Sequence, residues 1–303
     1  MFESRLMTAA TTSFHLRIAG LTIGVWGHDE TLKMQLDPAM RAFSVAAATP
    51  DIAIQASYRM LSENPADKPV FESGGLWRLS TRHGRPCFRF VSPYFGTIPY
   101  KEACFTADFS RGEVHLHKPY FSASQRLYPL EYPLDELLIL YLLSQRRGVE
   151  VHACGIIDAD GRGHVFMGHS GAGKTTLAKL WATHPDITIL SDDRIILRHT
   201  SDGYCIYGTP WHGEAHFACT AEAPLASLVW IGHGSHHTLT PLAPVEAIGR
   251  LMSCSFPPFY NPEALAWMLE FSTGLVHAIP TYQLAFLPNR HVLTLLQSRL
   301  MAI

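Results

Sequence analysis

Gly168-His169-Ser170-Gly171-Ala172-Gly173-Lys174-Thr175 decides how this chain is read. The spacing is G-x-x-x-x-G-K-[ST], the pattern of a phosphate-binding loop. Its glycines let successive backbone N–H groups turn inward around a β-phosphate. Lys174 then reaches the β/γ oxygens, and the Thr175 hydroxyl holds a magnesium ion. The flanking sequence supplies the right context. His164-Val165-Phe166-Met167 reads as a short buried strand entering the loop, and Lys174 to His184 reads as a helix leaving it. Leu177, Leu180 and Trp181 fall at i, i+3 and i+4, one apolar helical face, and His184-Pro185 stops the helix. A bound anion would sit over the helix N-terminus, where unpaired N–H groups and the helix dipole favour it. Gly168 to Thr175, with Thr176, are therefore the expected nucleotide contacts. The competing reading is a glycine-rich turn that binds nothing.

Upstream, Leu134 to Arg147 reads as a helix with Pro133 at its start, acidic residues in its first turn, Arg146-Arg147 in its last and Gly148 as its C-cap. Val149 to Ile157 is a strand and Asp158-Ala159-Asp160-Gly161 a turn, so a hairpin feeds the loop, unlike the βαβ entry of most nucleotide-binding folds. Downstream, Ile187 to Leu190 is a β-branched run ending at Ser191-Asp192-Asp193-Arg194. Carboxylates at the end of a buried strand sit where open α/β sheets bind ligands. Adjacent strand residues point to opposite faces, so Asp192 and Asp193 divide two tasks, metal and acceptor hydroxyl. The competing reading is a solvated acidic turn paired with Arg194.

The segments His152-Ala153-Cys154-Gly155-Ile156-Ile157-Asp158, Gly161, Gly163, the Gly168–Thr175 loop and Ser191-Asp192-Asp193-Arg194 together resemble the catalytic core of HPr kinase/phosphorylase. That family shares its loop architecture with phosphoenolpyruvate carboxykinase. The likeness spans about residues 130 to 215 and lies in the order of a His-bearing strand, a hairpin, the loop and paired Asp. It is similar, too, to divergent kinases of lasso-peptide clusters that phosphorylate a serine of the precursor. The resemblance implies that Asp192 is the general base on an acceptor hydroxyl, with His152 beside the transferring phosphoryl. It implies magnesium on Thr175 and Asp193, a Ser170 hydroxyl near the γ-phosphate, and Lys174 neutralising charge on the bridging oxygen. After the paired Asp, the family's metal-binding stretch is replaced here by Gly208-Thr209-Pro210-Trp211-His212-Gly213-Glu214, in which Glu214 is the candidate third metal ligand.

Composition bounds the alternatives. The 303 residues, 47 % hydrophobic and 17 % charged, suit a folded α/β unit with a second, smaller domain. A formal net charge of -2 with no Lys/Arg-rich run lacks the footprint of a nucleic-acid binder. Residues 1–20 lack a signal-peptide core, and the Leu137–Leu143 run is too short to span a bilayer, so a cytoplasmic protein is expected. Six cysteines, Cys87, Cys104, Cys154, Cys205, Cys219 and Cys254, show no C-x-x-C spacing and read as buried thiols in a reducing compartment.

Residues 1–118 alternate in the β manner at Phe14–Trp26, Asp51–Tyr58, Leu76–Ser80, Cys87–Val91, Cys104–Asp108 and Glu113–His117, an antiparallel meander. No catalytic constellation lies there, which leaves a platform for an acceptor or partner. His212-Gly213-Glu214-Ala215-His216 lacks the H-E-x-x-H order of zinc proteases. His233, His236 and His237 read as solvated loop residues, and Ser255–Pro262 as an aromatic, proline-rich loop that lids a site or only connects helices.

The expectation is an α/β protein, α+β overall, with a β-rich domain at 1–118 and a P-loop kinase core of the HPr kinase/phosphoenolpyruvate carboxykinase type at 119–303. It would use ATP and Mg2+ to phosphorylate a serine hydroxyl on a peptide or small protein and would form a homo-oligomer. An NTPase driving a partner complex, a small-molecule hydroxyl kinase and a nucleotide-sensing scaffold are the alternatives.

Overall fold

The computed structural model describes residues 13–28, 31–63, 69–122, 125–258 and 260–301. The stretch 1–12, read above for a leader, lies outside the described residues, as does Phe259 of the aromatic loop. The protein is mixed α/β and divides into two units, Met1–Asp135 and Glu136–Ile303. Among the described residues no helix is long and apolar enough to cross a membrane.

The first unit holds β1 (Ser13–Ile18), β2 (Leu21–Gly27), β3 (Lys33–Met34), the short helix α1 (Pro38–Ala42), β4 (Ser44–Val45), β5 (Ile52–Arg59), β6 (Pro69–Glu72), β7 (Trp77–Arg82), β8 (Arg85–Ser92), β9 (Gly96–Phe105), β10 (Arg111–His117) and β11 (Arg126–Leu127). Nine of these strands form one sheet in the order β4-β1-β2-β5-β10-β9-β8-β7-β6. From β6 to β10 it is the expected antiparallel meander. The expectation fails at β5, which is inserted between β2 and β10 and runs parallel to both. Alternation reveals which residues face a core, but not which strand lies alongside; that choice is tertiary.

The unit extends past residue 118 because the segment beyond β10 packs back on the sheet. Tyr120 stacks on Phe95 with ring centroids 4.5 Å apart, and the Glu131 carbonyl accepts from Lys101 Nζ at 2.7 Å. Cys87 and Cys104, directly opposed on β8 and β9, are joined as a disulfide, so two of the six cysteines are not free thiols. Their partnership comes from strand register, which spacing in the chain does not display.

Lys101 is fully buried, lies over the Phe90 ring at 4.6 Å, and is pushed down to about 8 by desolvation, against the pull of the Glu131 and Asp135 carboxylates. From pH about 8 to the unfolded value of 10.5 the unfolded chain holds a proton that the folded chain has released. Stability from this group therefore rises with pH across that window and is lost as pH falls through 8. Lys101→Met is expected to stabilise the unit by about 2 kcal/mol at pH 7, with the advantage shrinking towards pH 10. Urea unfolding of both proteins at the two pH values measures this, and an advantage independent of pH would contradict it.

The second unit begins within α2 (Leu134–Ser144) and continues with β12 (Val149–Ile157), β13 (Gly163–Met167), α3 (Lys174–Trp181), β14 (Thr188–Ser191), β15 (Arg194–Thr200), β16 (Gly203–Tyr207), β17 (Glu222–His233), β18 (Thr238–Pro241), α4 (Pro244–Cys254), α5 (Pro262–Ala278), β19 (Thr281–Phe286) and α6 (His291–Leu296). α2 is shorter than its sequence pattern predicts. It stops at Ser144, and Arg146, not Gly148, takes the left-handed backbone (φ 62) that turns the chain. At Gly148 the limit is space, since a Cβ there would lie 2.6 Å from the Leu197 carbonyl oxygen.

β12 and β13 form the expected hairpin, antiparallel and in continuous register. β13 also pairs with β17 in parallel, so β12, β13, β17, β16 and β15 close a ring of pairings, while β19 and β18 extend outward from β17. Side chains alternate between two cores. Val165, Met167, Leu228 and Trp230 join α4 and α5 on one face. Phe166, Val229 and Ile231 meet α3 and α6 on the other. Leu177 and Trp181 of α3 are wholly buried there, each contributing roughly 2 kcal/mol or more of apolar burial. That anchors the helix whose first residues carry the loop.

Candidate functional site

The loop leaves β13 at Met167 and enters α3 at Lys174, so strand, loop and helix follow one another as the motif requires. Two of its glycines have left-handed backbone, Gly171 at φ 79 and Gly173 at φ 104, and Gly173 is the N-cap of α3. Gly168 is needed for space, because a Cβ there would stand 2.9 Å from both Ala172 Cβ and the Ile231 carbonyl oxygen. α3 has no side-chain cap. The amides of Gly171, Gly173, Lys174, Thr175 and Thr176 donate to no backbone carbonyl outside a helix or strand among the described residues. They are the donors an anion would meet. α3 ends at Trp181 rather than His184; the Thr183 and His184 amides close tighter turns on Leu180 and Trp181.

Lys174 folds back over the loop, donating to the Gly168 and His169 carbonyls at 2.8 and 3.2 Å. Burial lowers its pKa, and the nearby Asp193 carboxylate counters part of that. Phosphate oxygens would do the same more strongly. The His169 ring meets Trp230 edge-on at 5.1 Å, Ser170 and Thr176 are exposed, and Thr175 is half-buried.

The paired aspartates follow directly on the end of β14, as expected, and a second strand, β15, starts directly after them. β14 and β15 both run antiparallel to β12, with Ser191 opposite Gly155 and Arg194 opposite His152, and the Ala153 amide still donates to the Asp193 carbonyl. The register against β12 is the same on both sides of the pair, from Ser191 to Arg194, and shifts only within β14, between the partners of Gly155 and Ile156. The two side chains part company, as strand geometry demands. Asp192 is 1 % exposed and accepts the Gly213 amide on Oδ1 at 3.0 Å and the Ala215 amide on Oδ2 at 3.1 Å. A Cβ at position 213 would be 2.7 Å from Asp192 Oδ2, so any side chain there would push that carboxylate aside. Asp192 thus holds the 211–216 loop.

Asp193 points the other way. Its Oδ1 is 3.0 Å from His152 Nε2, and its Oδ2 accepts from Arg194 Nη1 at 2.6 Å. Burial acts to raise its pKa, but the hydrogen bond from His152 and the charges of Arg194, His152 and Lys174 outweigh it and hold the carboxyl below the usual range. Arg194 is fixed in turn. Its Nε donates to Glu136 Oε1 at 2.8 Å and lies 3.5 Å from Glu150 Oε1, and its guanidinium covers the Phe256 ring at 4.3 Å. Sequence reasoning missed Glu136, Glu150 and Phe256 because they come from α2, β12 and the segment after α4.

Lys174, Asp193, His152 and Arg194 are therefore brought together. Glu214 is exposed on the loop that Asp192 holds, between the two residues whose amides that carboxylate accepts. Among the described residues no group of three or more His, Cys, Asp or Glu is placed to hold a metal. Magnesium usually takes one or two protein oxygens and completes its shell with phosphates and water, so the Thr175 hydroxyl and the Asp193 carboxylate would be enough as its protein ligands.

A second polar group lies at the other end of the hairpin. His164 joins Ser227 Oγ at 2.8 Å to Asp158 Oδ2 at 3.0 Å. The order is that of a hydrolase triad, but all three side chains are buried and serve to tie the hairpin turn to β17. No protein-family model matches the chain, and no curated protein matches it either.

Proposed function

We propose that this chain is an ATP-dependent kinase that transfers a γ-phosphoryl group to a hydroxyl, a serine on a peptide or small protein. The observation that carries the reading is the His152–Asp193 pair, 3.0 Å apart, set close enough to Lys174 for the lysine and the carboxylate to perturb each other. A device for accepting a proton stands beside a device for holding phosphate, as phosphoryl transfer to a hydroxyl requires.

The geometry favours a division of labour different from the one the resemblance implies. Asp192 is committed to two backbone amides, whereas Asp193 faces His152. Asp193 orients the imidazole and stabilises its cation, His152 takes the hydroxyl proton, and Lys174 offsets charge building on the phosphoryl oxygens. Magnesium, when bound, would be held by Thr175 and Asp193 and would neutralise charge on the β and γ oxygens. The serine acceptor comes from the resemblance, whereas the cytoplasmic setting expected from residues 1–20, the short apolar run and the cysteine spacing is opposed by the Cys87–Cys104 bond.

Incubation with γ-labelled ATP and magnesium, with and without serine-bearing peptides, tests the reading. Label is expected in a peptide. Label released only as phosphate, at a rate no peptide changes, favours the NTPase alternative, and a chain that binds no nucleotide in calorimetry is neither.

A further inference from the structure

We infer that His233 is a positioning residue for the phosphate loop, latching it from outside in the shape that receives a triphosphate. The inference rests on the nucleotide-binding half of the function proposed above. His233 Nε2 lies 3.0 Å from the Gly171 carbonyl oxygen, a contact across 62 residues of sequence. The sequence reads this histidine as a solvated turn residue; it is exposed, as read, but it is the last residue of β17 and not part of the turn.

The sheet places it there. Met167, the last residue of β13, is in register with Trp230, so β17 runs three residues further and rises beside the loop. β19 ends at the same level, with His233 opposite Phe286. Each of the two strand ends touches one left-handed glycine: His233 meets Gly171, and the Phe286 ring closes on Gly173, where a Cβ would be 2.8 Å from Cζ. The Ala172 amide, on the same peptide unit as the Gly171 carbonyl, donates to the His169 carbonyl at 3.1 Å. That peptide is therefore gripped on both sides, from within by the loop and from without by His233.

Gly171 needs such a grip. A Cβ there would meet nothing within 4 Å, so the glycine is present for its backbone angle alone, and neighbouring atoms do not confine it. A residue this free loses much conformational entropy when a ligand orders it. A latch that orders it beforehand moves that loss to folding and raises affinity. The latch acts on the loop, so its effect belongs to phosphate binding and not to the nucleobase.

Calorimetry with ATP and with inorganic tripolyphosphate, each with magnesium, tests this on wild type, His233→Ala and His233→Gln. The alanine variant is expected to bind both ligands about tenfold more weakly, with an unchanged melting temperature, and the glutamine variant, whose amide can still donate, to recover most of the loss. Equal affinities in wild type and alanine variant overturn the latch. So does a loss confined to ATP, which would make His233 a nucleobase contact, and so does a glutamine variant as weak as alanine. Wild type that binds neither ligand overturns the proposed function along with it.

Discussion

Asp193→Asn is expected to reduce phosphoryl transfer by about 10²–10⁴-fold while leaving the affinity for metal-free ATP within a few-fold, because proton acceptance contributes about that much to such reactions. The asparagine keeps the size of the side chain but cannot stabilise an imidazolium on His152, 3.0 Å away. The pair works as a unit, so a double variant with His152→Ala should be no slower than the worse single variant. Asp192→Asn should behave differently. Its carboxylate is buried and accepts from Gly213 and Ala215, and an amide can present oxygen to only one of them. The expected result is roughly 2–3 kcal/mol of lost stability, with faster hydrogen exchange at those two amides. The role of Asp193 would be sunk by an Asp193→Asn protein that transfers normally beside a well-folded Asp192→Asn protein that does not.

Lys174→Ala carries the other large effect. The side chain is 6 % exposed, braces the Gly168 and His169 carbonyls and supplies the cation nearest the expected phosphates. Removing it takes away a charge and loosens the loop, so ATP and tripolyphosphate binding should weaken at least about 100-fold and transfer should fall below detection. Calorimetry and the labelled-ATP assay measure the two separately. Retained affinity with lost transfer would confine the lysine to the chemical step. Retention of both would mean that the loop is not the phosphate site. Thr175→Ala is gentler, since the magnesium shell can be refilled by water.

The legible part of this protein was local. G-x-x-x-x-G-K-T named the donors, the cation and the hydroxyl at once, because a phosphate loop draws all its groups from eight consecutive residues. The hairpin before it and the helix after it were visible too, since β12 and β13 are short runs buried on both faces and α3 buries one face at helical spacing. The opposite facing of Asp192 and Asp193 followed from strand geometry alone. Which of them faced His152 did not. That depended on which strand lay beside β12 and in what register, and register is set by packing across the sheet.

The same limit explains the other surprises. β5 entered between β2 and β10, Cys87 met Cys104, and residues 119–135 joined the first unit through Tyr120 and Lys101, each by contacts between distant segments. His233 looked idle because its partner, Gly171, stands 62 residues away. The sequence by itself determined that a G-x-x-x-x-G-K-T loop stands between a strand and a helix and what atoms it offers, because those atoms are covalent neighbours. Only the tertiary structure decided which carboxylate faces His152, what braces Arg194 and which side chain meets Gly171, because side-chain partners across a sheet are chosen by strand order and register.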